Sequence, residues 1–412
     1  MPNVYICSRS CRRRGLDATK IQTYFILNGH KIVHNPKKAD YIFFVACGFH
    51  GDIAEECSRK IQKLQKYDAE LIVAGCLPLN SKDVLKKVFD GRTLGTKDID
   101  RIDDFFPENK VKFKDVEDAN FVLDTNHRYY KYKRLLEKNK FFYKTVIGIL
   151  DILYRVKSGK NSFHYNVFPI KPLFHVRIAW GCDSKCTYCV IRKSTGPFHS
   201  KPFEKCIEEF KLGLSQGYKL FLLTAVNSGC YGMDIGHNFP ELLDEITKIS
   251  GSYKIIIRGI YPNWLIKYID ELEEIAKRKK IKVFGIPIQS GSSRILKMMK
   301  RTIDLDKLAD ACIRLQRADP DMIVDTHYII GFPTETEEDF EKTLNLAKKI
   351  DSRVVYFFPF SCRAGTGAEH LEPKVSVGEI QNRINKTKQV LTKKGYKAKT
   401  VLDMGLPLFE KE

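Results

Sequence analysis

Three cysteines, Cys182, Cys186 and Cys189, stand at the spacing C-x3-C-x2-C directly after the apolar run His175 to Trp180 and Gly181. Three thiolates on one short loop can bind three irons of a cubane and leave the fourth iron without a protein ligand. Clusters that only carry electrons are held by four cysteines, so this loop implies an open coordination position for a small chelating molecule. Zinc is the competing reading. A structural zinc site closes with four ligands, and the nearest further donors, His199 and Cys206, lie at no usual offset.

A second set is dispersed. Cys11, Cys47 and Cys76 are far apart in the chain, yet each follows an apolar run: Val4 to Ile6, Tyr41 to Ala46 and Leu71 to Gly75. In open α/β sheets the loops at the carboxyl ends of the strands converge, and ligands sit there. Three thiolates on that edge make another three-cysteine cluster site, although any one alone reads as a buried core thiol. Cys7 competes with Cys11 for the first position. The remaining Cys57, Cys206, Cys230, Cys312 and Cys362 read as small core residues. The start, Met1 to Ile6, lacks the basic stretch and apolar core of a signal peptide, and no run is long and apolar enough to span a bilayer. The cytoplasm is therefore the expected compartment, and its reducing conditions favour metal ligation over disulfides.

The elements that must position these thiols follow from periodicity. The first hundred residues alternate strand and helix signals, with helices expected over Ala18–Asn28, Asp52–Lys66 and Ser81–Phe89. That alternation implies a parallel sheet covered on both faces. From Pro172 to Cys362 six strands are expected: Phe174–Trp180, Lys219–Thr224, Tyr253–Arg258, Ile281–Ile288, Met322–Ile330 and Val354–Phe360. Helices are expected between them at Pro202–Gln216, Pro240–Ile249, Asn263–Lys279, Leu305–Gln316 and Thr336–Ile350, and six βα units fit an incomplete barrel better than a closed eight-fold one. The segment between is less regular and carries the basic aromatic stretch Arg128 to Arg134, read as a helical linker in preference to the alternative of an RNA-facing patch. Val377 to Lys393 reads as one basic amphipathic helix, followed by Val401-Leu402 and a loose end. The expected divisions are thus an N-terminal α/β domain over 1–110, a linker over 111–171, the barrel over 172–368 and a basic helix with tail over 369–412.

The run Cys182-Asp183-Ser184-Lys185-Cys186-Thr187-Tyr188-Cys189 resembles the signature of radical S-adenosylmethionine (SAM) enzymes, with Tyr188 at the usual aromatic position. Within that superfamily the chain resembles the methylthiotransferases. The spacing from Cys11 to Asp17 and Gly29 agrees, as do Ala39-Asp40 leading to Cys47, and Gly75-Cys76-Leu77-Pro78. Pro287 to Ser292 with Met299 and Arg301, Gly331 to Thr336, and Ser361 to Thr366 match later family motifs. The resemblance runs from about Val4 to Ala368 and is weakest between Gly91 and Pro172.

The resemblance implies an N-terminal doubly wound parallel-sheet domain followed by a partial (β/α)6 radical SAM barrel. It implies two [4Fe-4S] clusters, one on Cys182, Cys186 and Cys189 and an auxiliary one on Cys11, Cys47 and Cys76. It implies SAM as cofactor, contacted by Tyr188, Gln289, Ser290, Gly291 and Arg258, the last equally readable as a structural ion pair. The reaction implied replaces C–H by C–S–CH3, with the electron coming from a flavodoxin- or ferredoxin-type donor. Most family members end in a β-barrel TRAM domain, for which the residues after Thr366 leave no room. That favours a peptide or protein acceptor, such as a ribosomally made precursor peptide, over tRNA. Arg14, Thr195 and Val226 depart from the residues usual in the family. The formal charge of +20 still favours an anionic partner. Two further readings are a two-cluster enzyme of another radical reaction and an iron–sulfur or zinc sensor without catalysis. Motifs beyond the cysteines weigh against the sensor, and no P-loop indicates ATP chemistry.

Overall fold

The computed structural model describes residues 1–49, 51–122, 173–401 and 406–411. Most of the expected linker, including Arg128–Arg134, lies outside them. Of the described residues, those up to 122 together with Val190–Gly196 form one unit, and those from 173 onward without that segment form a second.

The first unit is built on β1 (Asn3–Arg9), β2 (Lys31–Ile32), β3 (Tyr41–Ala46), β4 (Glu70–Gly75) and β5 (Thr93–Gly95), all parallel in the order β2-β1-β3-β4-β5. Alternate side chains of a strand point to opposite faces. Ile6, Phe43, Val45 and Ile72 accordingly pack with Ala18, Ile21 and Phe25 of α1 (Arg12–Leu27). Cys7, Phe44, Ala46 and Val73 pack with Ala54, Cys57 and Ile61 of α2 (Gly51–Leu64). A sheet apolar on both faces needs both covers, and the doubly wound expectation holds. α1 begins at Arg12 rather than at Ala18. Its first turn, Arg12-Arg13-Arg14-Gly15, sets cations against the positive end of the helix dipole, so no start signal marks it.

The second unit opens with β6 (Phe174–Arg177) and β7 (Ala179–Trp180); β7 pairs antiparallel with β8 (His199–Ser200). β9 (Leu220–Thr224), β10 (Lys254–Arg258), β11 (Ile281–Gln289), β12 (Ile323–Ile330) and β13 (Val354–Pro359) follow β6 as parallel neighbours in chain order. This is the six-stranded sheet of the partial barrel. Helices Phe203–Ser215, Phe239–Lys248, Leu305–Ala318 and Glu337–Ile350 lie where the periodicity puts them, whereas the expected helix over 263–279 divides into Pro262–Lys267 and Ile269–Ala276. The loose end is a hairpin instead, β14 (Tyr396–Val401) and β15 (Leu406–Lys411), with β15 antiparallel to β13. Tyr396 and Phe409 join the main core. The lysines of Tyr396-Lys397-Ala398-Lys399 hide this strand from propensity; pairing against β13 decides it.

Among the described residues no helix is long and apolar enough to cross a membrane. The helix Val377–Lys393 starts from a Ser376/Glu379 capping box and is anchored by Arg383, which bonds Glu335 at 2.8 Å. Glu335 also accepts the Gly331 N–H at 2.6 Å, so this buried carboxylate ties helix and turn together. Arg383→Met strands that charge and should lower stability by about 3–5 kcal/mol. Lys386→Met, whose partners Glu337 and Glu341 are solvent-facing, should barely move the denaturant midpoint. Equal shifts in the two variants would show that the buried pair is not the anchor.

Candidate cluster sites

In the first unit the three dispersed cysteines arrive at one edge. Cys11 is the N-cap of α1 just past β1; Cys47 follows β3; Cys76 follows β4 and caps the short helix α3 (Leu77–Asn80). The Cys47 N–H donates to the Arg9 carbonyl at 2.9 Å, and the Cys76 N–H to the Ala46 carbonyl at 3.0 Å. Gly75 makes the second contact possible: its φ is +103°, and a Cβ there would stand 2.6 Å from the Ala46 carbonyl oxygen. Ser194, from the segment that joins this unit, donates to the Ile191 carbonyl, receives the Asn80 amide at 3.3 Å and acts to lower the pKa of the Cys76 thiol.

The electrostatics place the thiols within each other's influence. Burial pushes the Cys47 thiol up to about 12, and the charges of Cys11 and Cys76 add to it. Burial likewise raises Cys76, with Arg14 opposing. Packing would also raise Cys11, but Arg13, Arg14 and the Arg14 backbone N–H outweigh it and bring the thiol below its ordinary value. Cys11 is therefore the readiest thiolate of the set. Arg14 is buried, pairs with Asp17 at 2.6 Å, and interacts with all three cysteines. Cys7 is fully buried in the layer under α2 with Cys57, away from solvent. Cys362, expected in the core, is exposed in the loop after β13.

In the second unit Cys182, Cys186 and Cys189 are half-buried on one loop after β7. Gly181 turns the chain into it at φ +70°, where a Cβ would lie 1.9 Å from the Pro197 carbonyl oxygen. The loop is pinned from four places. Asn227, beyond β9, donates to Asp183 at 2.9 Å. The Thr187 hydroxyl donates to the Met298 carbonyl at 2.9 Å, and its N–H to that of Met299 at 3.2 Å. The Ala368 N–H reaches the Thr187 carbonyl at 2.9 Å. Arg301 donates to the Tyr188 hydroxyl at 3.1 Å and to the Cys186 sulfur at 3.6 Å.

The residues expected to hold SAM divide. Gln289 ends β11 at a bulge with φ +81°, and its Oε1 is buried without a hydrogen-bond partner among the described residues. Ser290 and Gly291 turn to the helix Glu337–Ile350: both meet the Thr343 hydroxyl, at 3.1 and 2.9 Å. Arg258 bonds the fully buried Asp325 at 2.6 Å, beside His327 at 3.1 Å from the same carboxylate. Burial alone would raise Asp325, but Arg258 and His327 hold it down at about 2. The ion pair is the one of the two readings of Arg258 on which the structure bears, and it is present. Sequence reasoning missed Asp325, Asn227 and the bond from Arg301, because these partners are distant in the chain and carry no local pattern.

Each set brings three thiol donors, the number that gives three irons of a cubane a ligand and leaves the fourth open. Among the described residues no three His, Cys, Asp or Glu side chains come together to hold one ion. Of the extra zinc donors weighed, Cys206 is fully buried and His199 stacks on Trp180 at 4.9 Å.

Comparison with known proteins matches residues 176–347 to the radical SAM superfamily and residues 3–94 to the uncharacterized protein family UPF0004. A probable threonylcarbamoyladenosine tRNA methylthiotransferase of Pyrococcus horikoshii is 31% identical over 367 residues, covering 89% of this chain and 78% of that one. The ribosomal protein uS12 methylthiotransferase RimO of Clostridium botulinum is 30% identical over 393 residues, covering 91% and 78%. Among solved structures, the radical SAM methyltransferase TsrM from Kitasatospora setae, with cobalamin and a [4Fe-4S] cluster bound, shares the fold: TM-score 0.61 at 12% identity, over 89% of this chain and 77% of that one.

Anaerobically reconstituted protein should carry about eight irons per chain, and the triple change of Cys11, Cys47 and Cys76 to Ala should leave about four. Iron analysis with Mössbauer spectroscopy checks this. A full complement in the triple variant would remove the auxiliary site from these residues.

Proposed function

The chain belongs to the radical SAM methylthiotransferase family, enzymes that use SAM and two [4Fe-4S] clusters, and we propose that its acceptor is a modified adenosine of tRNA. The observation that carries the acceptor is charge. The 70 Lys and Arg against 50 Asp and Glu give +20 over 412 residues, a balance suited to a phosphate backbone. The similarity to a tRNA-modifying relative supports the same acceptor. A second reading, a ribosomal protein acceptor, is favoured by the nearly equal identity to the uS12-modifying relative. Of the peptide or protein acceptor expected from the sequence, the protein half has a counterpart in that uS12-modifying relative, and a precursor peptide has none in these names.

In this proposal Cys182, Cys186 and Cys189 hold the SAM-binding cluster on the barrel over 172–368, and Cys11, Cys47 and Cys76 the auxiliary cluster on the domain over 1–110. When bound, clusters and SAM would supply the hydrogen-abstracting radical, the sulfur and the methyl group, with the electron delivered by an external donor. The protein's own share is placement. Gln289, whose Oε1 is buried without a hydrogen-bond partner among the described residues and whose backbone is held at a φ few side chains adopt, would hold SAM at the carboxyl end of β11. Ser290 and Gly291, fixed by Thr343, hold that strand end in position. Tyr188, with its hydroxyl taken by Arg301, keeps its segment of the cysteine loop in place. Arg258, at the end of β10, keeps its charge paired at the fully buried Asp325.

Anaerobic incubation of the reconstituted chain with SAM, a strong reductant and undermodified tRNA should yield a nucleoside carrying one sulfur and one methyl in place of hydrogen. Nucleoside mass spectrometry reads this, and Cys186→Ala should abolish it. RNA binding should weaken linearly in log salt, with a slope of about −0.9 for each phosphate neutralised on a duplex. Untouched tRNA beside a modified ribosomal protein would overturn the acceptor in favour of the second reading.

A further inference from the structure

Arg301 is 3% exposed, yet among the described residues it forms no ion pair with a carboxylate. It follows the helix Ser293–Met298, where Lys300 at φ +55° turns the chain and the Arg301 N–H returns to the Leu296 carbonyl at 2.8 Å. One terminal nitrogen donates to both the Tyr188 hydroxyl, at 3.1 Å, and the Cys186 sulfur, at 3.6 Å. The other donates to the Pro287 carbonyl at 2.5 Å. The flat face of the guanidinium lies 4.0 Å from the centre of the Tyr261 ring. Sequence reading placed Arg301 in a family motif but gave it no task.

Burying a guanidinium is costly unless an anion faces it. The neutral hydroxyl, the carbonyl and the ring satisfy hydrogen bonds and dispersion but supply no net negative charge. The buried ion pairs elsewhere in this unit follow the usual rule: Lys201 has Glu209 at 2.6 Å, Arg383 has Glu335, and Arg258 has Asp325. Arg301 alone among these four cations has its strongest anionic candidate in a cysteine sulfur. The planar fork also suits it to hold its partners in fixed directions, whereas a lysine ammonium is a point charge with rotatable donors.

We propose that Arg301 is the fixed countercharge of the barrel cluster: a positioning residue that donates to the Cys186 thiolate and makes the cluster easier to reduce. The proposal rests on assigning that cluster to Cys182, Cys186 and Cys189. Hydrogen bonds to cluster sulfurs and the net charge around them set reduction potential, and partners beyond the ligands tune a metal site in the same way. A cation held at one ligand sulfur stabilises the state that has gained the electron more than the state that has not. Tyr188, Tyr261 and Pro287 then have the shared task of keeping the guanidinium at that sulfur.

The test is an EPR-monitored redox titration of the full-length holoprotein, following the signal that changes when SAM is added. Arg301→Met should keep four irons on the barrel loop and shift the midpoint to a more negative potential. Arg301→Lys should fall between it and the wild type, and Tyr188→Phe, which leaves the charge at Cys186, should stay near the wild type. Formation of 5′-deoxyadenosine by Arg301→Met should collapse with a mild reductant and recover with a stronger one. An unshifted midpoint in Arg301→Met, or in Arg301→Lys should the methionine variant lose its iron, overturns the proposal. If the cluster assignment itself is at fault, Cys186→Ala keeps the SAM-responsive signal; that outcome removes both the assignment and the role, and differs from a normal signal with an unmoved midpoint.

Discussion

Parallel strand pairing is the constraint on which both sites depend. A strand that must re-enter its sheet in the same direction leaves from the carboxyl edge and crosses back over a face, in a right-handed path. In the first unit this gathers the residues just beyond β1, β3 and β4 on one edge, and those residues are Cys11, Cys47 and Cys76. In the second it surrounds the cysteine loop after β7 with the ends of β9, β11 and β13, which supply Asn227, the Met298–Arg301 turn and Ala368. Helices on the faces exclude water from the sheet, so the edge is where chain and solvent chemistry meet.

Convergence sets place; charge sets competence. A thiol must lose its proton to ligate iron, and burial works against that at Cys47 and Cys76. Each site answers with an arginine, but in different ways. Arg14 already has Asp17 as partner, so it tempers the field of three thiols without being committed to any one of them. Among the described residues Arg301 has no carboxylate at hand, and it is committed to a single sulfur and the tyrosine beside it. A shared cation suits sulfurs drawn from three separate loops; a dedicated one suits a loop whose sulfurs already travel together.

Much of this was legible because it is local. The C-x3-C-x2-C spacing states its chemistry without help from the fold, and six apolar runs of strand length mark β6 and β9 to β13 close to their observed bounds. The helix Val377–Lys393 appears where its pattern and its Ser376/Glu379 cap put it. The failures share one character. The start of α1 is masked by three arginines and a glycine, the β14–β15 hairpin by lysines, and exposure of Cys362 by the habit of burying lone thiols. In each, distant contacts or their absence overrule the local preference.

By itself the sequence determined the two kinds of sheet, the cysteine loop and therefore the class of chemistry, because strand periodicity and ligand spacing are properties of neighbouring residues. Only the tertiary structure decided that Arg258 belongs to Asp325, that Ser290 and Gly291 answer to Thr343, and that Arg301 ends at Cys186. Those pairings join residues dozens of positions apart, and no short-range pattern encodes them. They exist because burial leaves a charged or polar group only the partners that packing brings within reach.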